Sequence, residues 1–244
     1  MVERMIRAVT LDFWNTLMDD FHLPAREELR AARLREIVAP YGRVPDQTAI
    51  DAAFAKAWKH FDKVWLKKHR TPPPAESAAV VLRALRIKLP PQAFERVVTV
   101  LEEGVLDAPP RTVDGVTDTL PLLAERYALA VVCDAALTPG RILRRVLALH
   151  GIEDLFGAFF FSDEHEWSKP DPRAFLTPLN ELGIAPDEAV HVGDIQRTDI
   201  AGAQAAGLRA VHFVGVNSSD LLVSTADAVV GRFNELPAAI GRLG

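Results

Sequence analysis

The sequence predicts an α/β protein: a doubly wound, Rossmann-like parallel sheet with an inserted α-helical cap domain. From Gly115 onward, short apolar segments alternate regularly with longer amphipathic segments. Such alternation is typical of βαβ units, whose right-handed crossovers place helices on both faces of a parallel sheet. Before Gly115, a long segment has helical spacing and no convincing strand, which indicates an insertion after the first strand.

The composition indicates a globular protein that acts on something small. Its 244 residues are 49% apolar, enough for one large core or a core plus a smaller second domain. A net charge of -5 argues against a nucleic-acid partner, because binding a phosphate backbone normally needs a basic face. Cys133 is the single cysteine, and neither a signal-peptide core nor a membrane-spanning run is evident. We therefore expect a cytoplasmic protein without a membrane partner; the oligomeric state does not follow from the sequence.

The first strand is predicted at residues 6–11, which are apolar and β-branched, and Asp12 follows at its carboxyl end. Open α/β sheets place their ligands at this end of the strands. We predict that the cap domain spans residues 19–109, between two segments of the core, 1–18 and 110–244.

The cap has one clear helix, whose aromatic residues recur at steps of four, three and four. They are Phe54, Trp58, Phe61 and Trp65. This spacing places them on one face of a helix. The simplest interpretation is that they form the hydrophobic core of the cap; the alternative is that a member lines the substrate pocket. Proline-containing segments then separate two shorter helices, predicted at residues 75–87 and 91–103.

The core continues with four predicted strands and four predicted helices. The strands are 129–132, 159–161, 189–192 and 210–213. The helices are 115–125, a helix from Thr138 to Gly151, one from Asp171 to Gly183, and 198–206. Thr138 followed by Pro139 is typical of an N-cap with proline at the first helical position.

Four polar clusters fall just past the predicted strand ends. They are Asp12, Cys133-Asp134, Ser168-Lys169-Pro170, and Gly193-Asp194 with Asp199. Because the strands are parallel, these clusters converge on one rim of the sheet. Carboxylates with water and phosphate oxygens are the ligands Mg²⁺ prefers, so Asp12, Asp194 and Asp199 form a candidate metal site. With Lys169 offsetting the charge, Asp12 could attack a phosphorus or carbon centre.

The ordered motifs resemble those of the haloacid dehalogenase-like (HAD) hydrolase superfamily. They are Leu-Asp-Phe-Trp-Asn-Thr-Leu, Val-Val-Cys-Asp, Ser-Lys-Pro-Asp-Pro and Val-Gly-Asp-Ile-Gln-Arg-Thr-Asp-Ile-Ala-Gly-Ala. The resemblance spans the whole chain and implies that the insertion is that superfamily's helical cap. It further implies that Asp12 is the nucleophile, that Lys169 is the catalytic lysine, and that Asp194, Asp199 and the backbone carbonyl of Trp14 bind Mg²⁺.

Two positions depart from the family pattern. Phosphatases of the family usually have a second Asp where this chain has Trp14, and that acid protonates the leaving group. Cys133 stands where a serine or threonine usually contacts phosphate, and a thiol is a poorer donor. Haloacid dehalogenases place a tyrosine at the Trp14 position but lack the Gly193-Asp194 pattern. We predict that Trp14, Cys133 and Asp134 contact the substrate; the simpler interpretations are that Trp14 packs against the cap and that Cys133 is a small buried apolar residue at a strand end.

The function predicted from these residues is a Mg²⁺-dependent phosphatase of a small phosphorylated metabolite, acting through an aspartyl-phosphate. The alternatives are a haloacid-type dehalogenase and a HAD-fold binding protein that has lost turnover. Either the substrate has a good leaving group, or another residue supplies the proton. The candidates nearby in sequence are Asp19, Asp20, His22 and Asp134.

Overall fold

The computed structural model describes residues 5–20, 23–42 and 44–244. Its strands are β1 (Ala8–Leu11), β2 (Met18–Asp19), β3 (Arg111–Thr112), β4 (Ala128–Cys133), β5 (Phe156–Phe161), β6 (Ala189–Gly193), β7 (Arg209–Phe213) and β8 (Ala228–Val230). Six of them form a parallel sheet in the order β5-β4-β1-β6-β7-β8. β2 and β3 form a short antiparallel ribbon where the chain leaves and re-enters the core. The predicted fold class is confirmed.

The helices occupy the segments between these strands. They are α1 (Leu23–Val38), α2 (Gln47–Lys68), α3 (Pro74–Leu85), α4 (Pro91–Glu103), α5 (Val116–Ala124), α6 (Gly140–Leu149), α7 (Arg173–Leu182), α8 (Ala201–Ala205) and α9 (Leu236–Ile240). A π-helical turn over Gln196–Ile200 precedes α8. None of the described helices is long and apolar enough to cross a membrane.

β1 lies in the middle of the parallel sheet. All four of its residues are buried, and it pairs in parallel with β4 on one side and β6 on the other. A strand covered on both faces needs apolar side chains in both directions, which the sequence Ala-Val-Thr-Leu largely supplies. The order of the sheet reverses at β1, and such a switch point is where α/β sheets bind ligands.

The helices α1 to α4 have a hydrophobic core of their own. It is built from residues such as Leu34, Ile50, Ala53, Ala57 and Val81, and belongs to a cluster separate from the two that cover the sheet. A separate core is what an independently packed unit requires. We therefore propose that residues 19–109 are the cap domain.

The aromatic residues of α2 do not form that core as a set. Trp58 is 37% exposed, and the buried residues of the helix are Ile50, Ala53, Ala57, Phe61 and Val64. The prediction that the aromatic stripe is the core of the cap is therefore wrong for Trp58. The small side chains of Ala53 and Ala57 let α2 pack closely against α3.

Two details of the core differ from the sequence prediction. Pro139, not Thr138, is the N-cap residue of α6, and the backbone N–H of Gly140 donates instead to Oδ1 of Asp163 at 3.0 Å. A Cβ at Gly140 would lie 2.5 Å or less from atoms of the Phe161 ring, so α6 begins where the chain must pass close to β5. The sheet also has a sixth strand, β8, that was not predicted; it has three residues and an exposed Val229.

Candidate active site

The candidate site lies at the carboxyl rim of the sheet, around the end of β1. Asp12 directly follows this strand, and its backbone N–H donates to the carbonyl of Val192 on β6 at 2.9 Å. Asp134 follows β4 and Asp194 follows β6, the two strands that flank β1. The parallel topology thus brings three carboxylates from distant parts of the chain to one place.

Lys169 joins two of the predicted site carboxylates. Its Nζ lies 2.6 Å from Oδ1 of Asp12 and 2.6 Å from Oδ1 of Asp199. The lysine is 2% exposed and Asp12 is 7% exposed. Burial opposes the charge of Lys169, but Asp12 and Asp199 hold its pKa well above the usual 10.5. The lysine is therefore a fixed positive charge beside Asp12.

Asp199 is the most fully hydrogen-bonded acid of the site. Oδ1 contacts Lys169 and lies 3.3 Å from Nε2 of His191, while Oδ2 accepts from the backbone N–H of Ile195 at 3.0 Å and from the hydroxyl of Thr198 at 3.2 Å. Burial would raise its pKa, but Lys169 and His191 hold it below the usual value. Asp199 is a carboxylate with little free hydrogen-bonding capacity.

Position 193, directly before Asp194, is a glycine for a steric reason. A Cβ at Gly193 would lie 2.5 Å from both Cβ and Cγ of Asp199, a distance that real Cβ atoms do not tolerate. Only glycine lets the side chain of Asp199 pack across the end of β6 toward Lys169. This accounts for the Gly-Asp pair in the sequence motif.

Two asparagines hold Asp194. Oδ2 accepts from Nδ2 of Asn15 at 3.2 Å and from Nδ2 of Asn217 at 2.8 Å. Asn15 has a left-handed backbone, with φ of 58°, a conformation in which asparagine is favoured over most residues. Burial raises the pKa of Asp194, and the nearby Asp199 adds to the effect.

Three carboxylates meet closely enough to bind one cation. Asp12, Asp194 and Asp199 each have a carboxylate oxygen within 4.8 Å of the others. Burial raises the pKa of Asp12 well above its usual value, and Asp199 and Asp194 raise it further against the opposing Lys169. The donors are all hard oxygens and one lysine does not balance three acids, so this set fits a divalent cation such as Mg²⁺.

Asp134 connects the rim to the cap. Its Oδ1 accepts from the backbone N–H of Lys169 at 2.9 Å, and its Oδ2 accepts from the indole N–H of Trp65 at 2.7 Å. Burial raises the pKa of Asp134 above its usual value, although Lys169 and both hydrogen bonds oppose this. Trp65 lies on α2, so a cap side chain closes over the rim.

The rim and α2 enclose a cavity of about 140 Å³. Its lining includes the predicted residues Asp12, Trp14, Asp134, Lys169, Asp194 and Asp199, together with Asn15, Phe61, Trp65, Ala136, Ile195 and Thr198. A cavity of this size suits a small substrate, since drug-sized ligands occupy about 300–1,000 Å³. Phe61 and Trp65 therefore follow the alternative interpretation of the aromatic stripe.

The structure separates Cys133 from the other predicted site residues. Cys133 is fully buried within the core and is not part of the cavity lining. Burial raises the pKa of its thiol well above the usual value, with Asp12 adding to the effect, so the thiolate is disfavoured. This placement supports a packing role.

The candidate proton donors have different locations. Asp134 lines the cavity. Asp19 lines a different cavity, beside Arg111, and Asp20 is ion-paired with Arg26 at 2.6 Å. His22 lies outside the described residues.

Sequence reasoning missed several residues of the site. Asn15, Thr198 and Ile195 lie within or beside the motifs, and the motif positions themselves were the available signal. Asn217 lies in the segment after β7, and nothing in its local sequence marks it as a partner of Asp194. Phe61 and Trp65 follow from the sequence only through the alternative interpretation of the aromatic stripe.

The sequence of this chain matches a known family of hydrolases. The family model for haloacid dehalogenase-like hydrolases matches residues 6–207. The chain belongs to this family. The predicted superfamily is therefore confirmed, and the protein is a HAD-like hydrolase.

Curated relatives of this hydrolase include several phosphatases. A phosphoglycolate phosphatase from Salmonella paratyphi A is 29% identical, over 97% of this chain and 93% of the relative. A phosphoserine phosphatase from Thermus thermophilus is 39% identical over a shorter match, 35% of this chain and 41% of the relative. The first similarity extends across nearly the whole of both chains.

Solved structures confirm the architecture of the HAD-like hydrolase. A 2-haloacid dehalogenase from Pseudomonas syringae superimposes with a TM-score of 0.70 and 27% identity, covering 98% of this chain and all of that one. A HAD phosphatase from Thermococcus onnurineus superimposes with a TM-score of 0.68 at 22% identity, covering 97% of this chain and 98% of that one. The second match concerns the fold alone.

Proposed function

We propose that this HAD-like hydrolase is a Mg²⁺-dependent phosphatase that acts on a small phosphorylated metabolite through a phosphoryl group carried on Asp12. One observation carries the proposal: Asp12 is bound to Lys169 inside a cluster whose three carboxylates approach within 4.8 Å. A nucleophilic carboxylate needs nearby positive charge to receive an anionic substrate.

The two oxygens of Asp12 have different surroundings. Oδ1 accepts from Lys169, whereas Oδ2 accepts no hydrogen bond from any described residue. We propose that Oδ2 attacks phosphorus while Lys169 holds the carboxylate in place. The P–O bond to the leaving group breaks, its electron pair leaves on that oxygen, and water later hydrolyses the acyl phosphate.

The residues that would hold Mg²⁺ are Asp12, Asp194 and the backbone carbonyl of Trp14, with Asp199 the least available because both of its oxygens already accept hydrogen bonds. When bound, the cation would offset negative charge on the phosphoryl oxygens. Asn15 and Asn217 orient Asp194 for this role. Asp199 keeps Lys169 in reach of Asp12.

The proton for the leaving group has no clear donor among the residues that line the cavity. Trp14 occupies the place of the usual acid and lines the cavity. Both oxygens of Asp134 accept hydrogen bonds from N–H groups, so a leaving group would have to displace one of these bonds before Asp134 could protonate it, even though burial raises the pKa of this carboxyl group. We therefore propose a preference for substrates with good leaving groups, such as acyl or aryl phosphates.

The relatives support a small phosphorylated metabolite as the substrate class, although the compounds in their names are alkyl phosphates without the good leaving group proposed for this chain. Three curated phosphatases that match this chain carry the names of phosphoglycolate, phosphoserine and glyceraldehyde 3-phosphate. All three compounds are small enough to suit the cavity of about 140 Å³.

Haloacid dehalogenation is the second candidate. Its support is the 27% identical 2-haloacid dehalogenase structure and the aromatic Trp14, which lines the cavity. Such a reaction does not need Asp194, yet two asparagines hold Asp194 beside Asp12. This arrangement favours phosphate chemistry.

The test is a panel of phosphorylated metabolites assayed with Mg²⁺, beside the release of halide from 2-haloacids without metal. The matched blank is Asp12→Asn. Phosphate release that requires Mg²⁺ and Asp12 supports the proposal. Metal-independent halide release that survives Asp194→Asn would establish the dehalogenase instead. A phosphorylated protein that forms in a single turnover and fails to hydrolyse would indicate loss of turnover.

A further inference from the structure

Two buried arginines lie one turn apart on α1 and differ in their partners. Arg26 is 3% exposed and Arg30 is 5% exposed. Nη1 of Arg26 lies 2.6 Å from Asp20, and its Nε and Nη2 donate to the carbonyl of Ala108 at 3.2 and 3.0 Å. Arg26 is thus satisfied in the way that buried charges usually are.

Arg30 has no such partner. Its Nε is buried without a hydrogen-bond acceptor, and across the described ranges the guanidinium forms no hydrogen bond or ion pair. The guanidinium lies over the ring of Phe54, whose centroid is 5.6 Å from Cζ. Burial lowers the pKa of Arg30 to about 10, with Arg26 adding to the effect. Leaving a charge in this state is unfavourable unless something else pairs with it.

Arg30 lines a cavity of about 210 Å³ between α1 and α2. The other lining residues are Glu27, Ile50, Asp51, Phe54, Ala55 and Trp58. None of them lines the catalytic cavity. The cavity therefore combines a buried cation with an apolar wall, at a place separate from Asp12.

The charges around this cavity restrict what it can accept. Arg30 is buried, whereas Glu27 and Asp51 are exposed. An anionic group that reaches Arg30 would meet a donor fork suited to a carboxylate. The two acids repel ligands with a high negative charge, so a monoanion is favoured over a phosphate dianion. Ile50 and Phe54 supply contact for an apolar body.

We propose that the cavity between α1 and α2 is a second binding site, for a small organic monocarboxylate with an apolar body, whose carboxylate pairs with Arg30. The ligand would satisfy the one buried arginine of α1 that the described residues leave without a partner. Its apolar part would lie against Ile50, Phe54 and Trp58.

The test is the binding of phenylacetate to the whole protein by isothermal titration calorimetry, with inorganic phosphate as the second probe. We expect phenylacetate to bind with a Kd on the order of 1 mM or tighter. Arg30→Met should weaken this binding at least about tenfold. Arg33→Met is the matched control, because Arg33 lies on the same helix, is exposed and pairs with Asp107; binding should be unchanged.

A second variant separates lost binding from lost folding. Ala55 is exposed and lines the cavity, so Ala55→Trp should fill the site, prevent binding and leave the fold intact. Equal binding of phenylacetate by wild type, Arg30→Met and Ala55→Trp would overturn the proposal, as would no binding by wild type. Tighter binding of inorganic phosphate than of phenylacetate at this site would overturn the monocarboxylate class.

Discussion

The indole nitrogen of Trp65 donates a hydrogen bond to Oδ2 of Asp134 at 2.7 Å. Trp65 lies on α2 of the proposed cap, and Asp134 follows β4 of the core. The other oxygen of Asp134 accepts from the backbone of Lys169, and the guanidinium of Arg197 lies 4.6 Å above the Trp65 ring. One carboxylate therefore links the position of a cap helix to the segment that contains Lys169.

Trp65→Phe should destabilise the protein by removing this donor while keeping an aromatic ring. Asp134 would lose one of its two hydrogen bonds, and we expect the free energy of unfolding to fall by about 1–3 kcal/mol, measured by urea denaturation. Trp58→Phe is the control, because Trp58 is partly exposed on the same helix; its effect should stay within about 0.5 kcal/mol.

A double-mutant cycle tests whether the contact itself is responsible. Combining Trp65→Phe with Asp134→Ala should cost less than the sum of the single changes, with a coupling of at least about 0.5 kcal/mol. Strict additivity would show that the two side chains contribute independently.

Lys169→Met should destabilise the metal-free protein by about 3–5 kcal/mol at neutral pH, because Asp12 and Asp199 would remain buried without their cation. Chemical denaturation measures this. Lys67→Met, at an exposed position in the last turn of α2, is the control and should have little effect.

The deficit of Lys169→Met should depend on pH. Burial raises the pKa of Asp12 well above 3.8, and in the variant no lysine opposes this. A carboxyl group whose folded pKa is raised stabilises the protein fully below its unfolded pKa, and this contribution is lost as pH rises through the folded pKa. The deficit relative to wild type should therefore grow from about pH 5 to pH 8. A deficit that is constant across this range would contradict the assigned environment of Asp12.

Asn217→Ala should weaken the response to Mg²⁺. Asp194 would lose one of the two amides that orient it, and the Mg²⁺ concentration for half-maximal phosphatase activity should rise about 10- to 100-fold. The control is Asn180→Ala, at an exposed position of α7, which should leave the Mg²⁺ concentration for half-maximal activity unchanged. An unaltered Mg²⁺ requirement in Asn217→Ala would show that Asp194 is not a metal ligand.

Trp14→Asp should restore a proton donor where the cavity lacks one. Hydrolysis of an alkyl phosphate should increase about 100-fold, whereas hydrolysis of an aryl phosphate, which needs no proton, should change little. Steady-state rates with the two substrates measure the difference. Equal changes for both substrates would argue against a missing acid in the wild type.

The fold was largely predictable because local and global signals agree. Short, mostly buried and apolar runs mark β1, β4, β6 and β7, and in a parallel sheet the residues after them must share one rim. That rule alone brings Asp12, Asp134 and Asp194 together. β8 was missed because it has only three residues and an exposed middle position.

The contribution of the cap could not be predicted in the same way. Spacing shows that Trp58 and Trp65 share a face of α2. It does not show that Trp65 contacts Asp134 at the rim of the core domain while Trp58 is partly exposed, because this depends on how α2 packs on α3 and over the rim. Asn217 is a similar case, since a residue in an irregular segment after β7 becomes a partner of Asp194 only through folding. The lack of a hydrogen-bond partner for Arg30 can likewise be recognised only from the residues that surround it in the folded cap.

If Asp12 is the nucleophile, it becomes covalently phosphorylated during turnover. The direct measurement is mass spectrometry of rapidly acid-quenched protein after incubation with Mg²⁺ and an acyl phosphate such as acetyl phosphate. We expect one added phosphoryl group on the peptide that contains Asp12, absent in Asp12→Asn and removed by hydroxylamine, which cleaves acyl phosphates. Phosphate release by the wild type with no modified peptide, or modification that persists in Asp12→Asn, would contradict this role of Asp12.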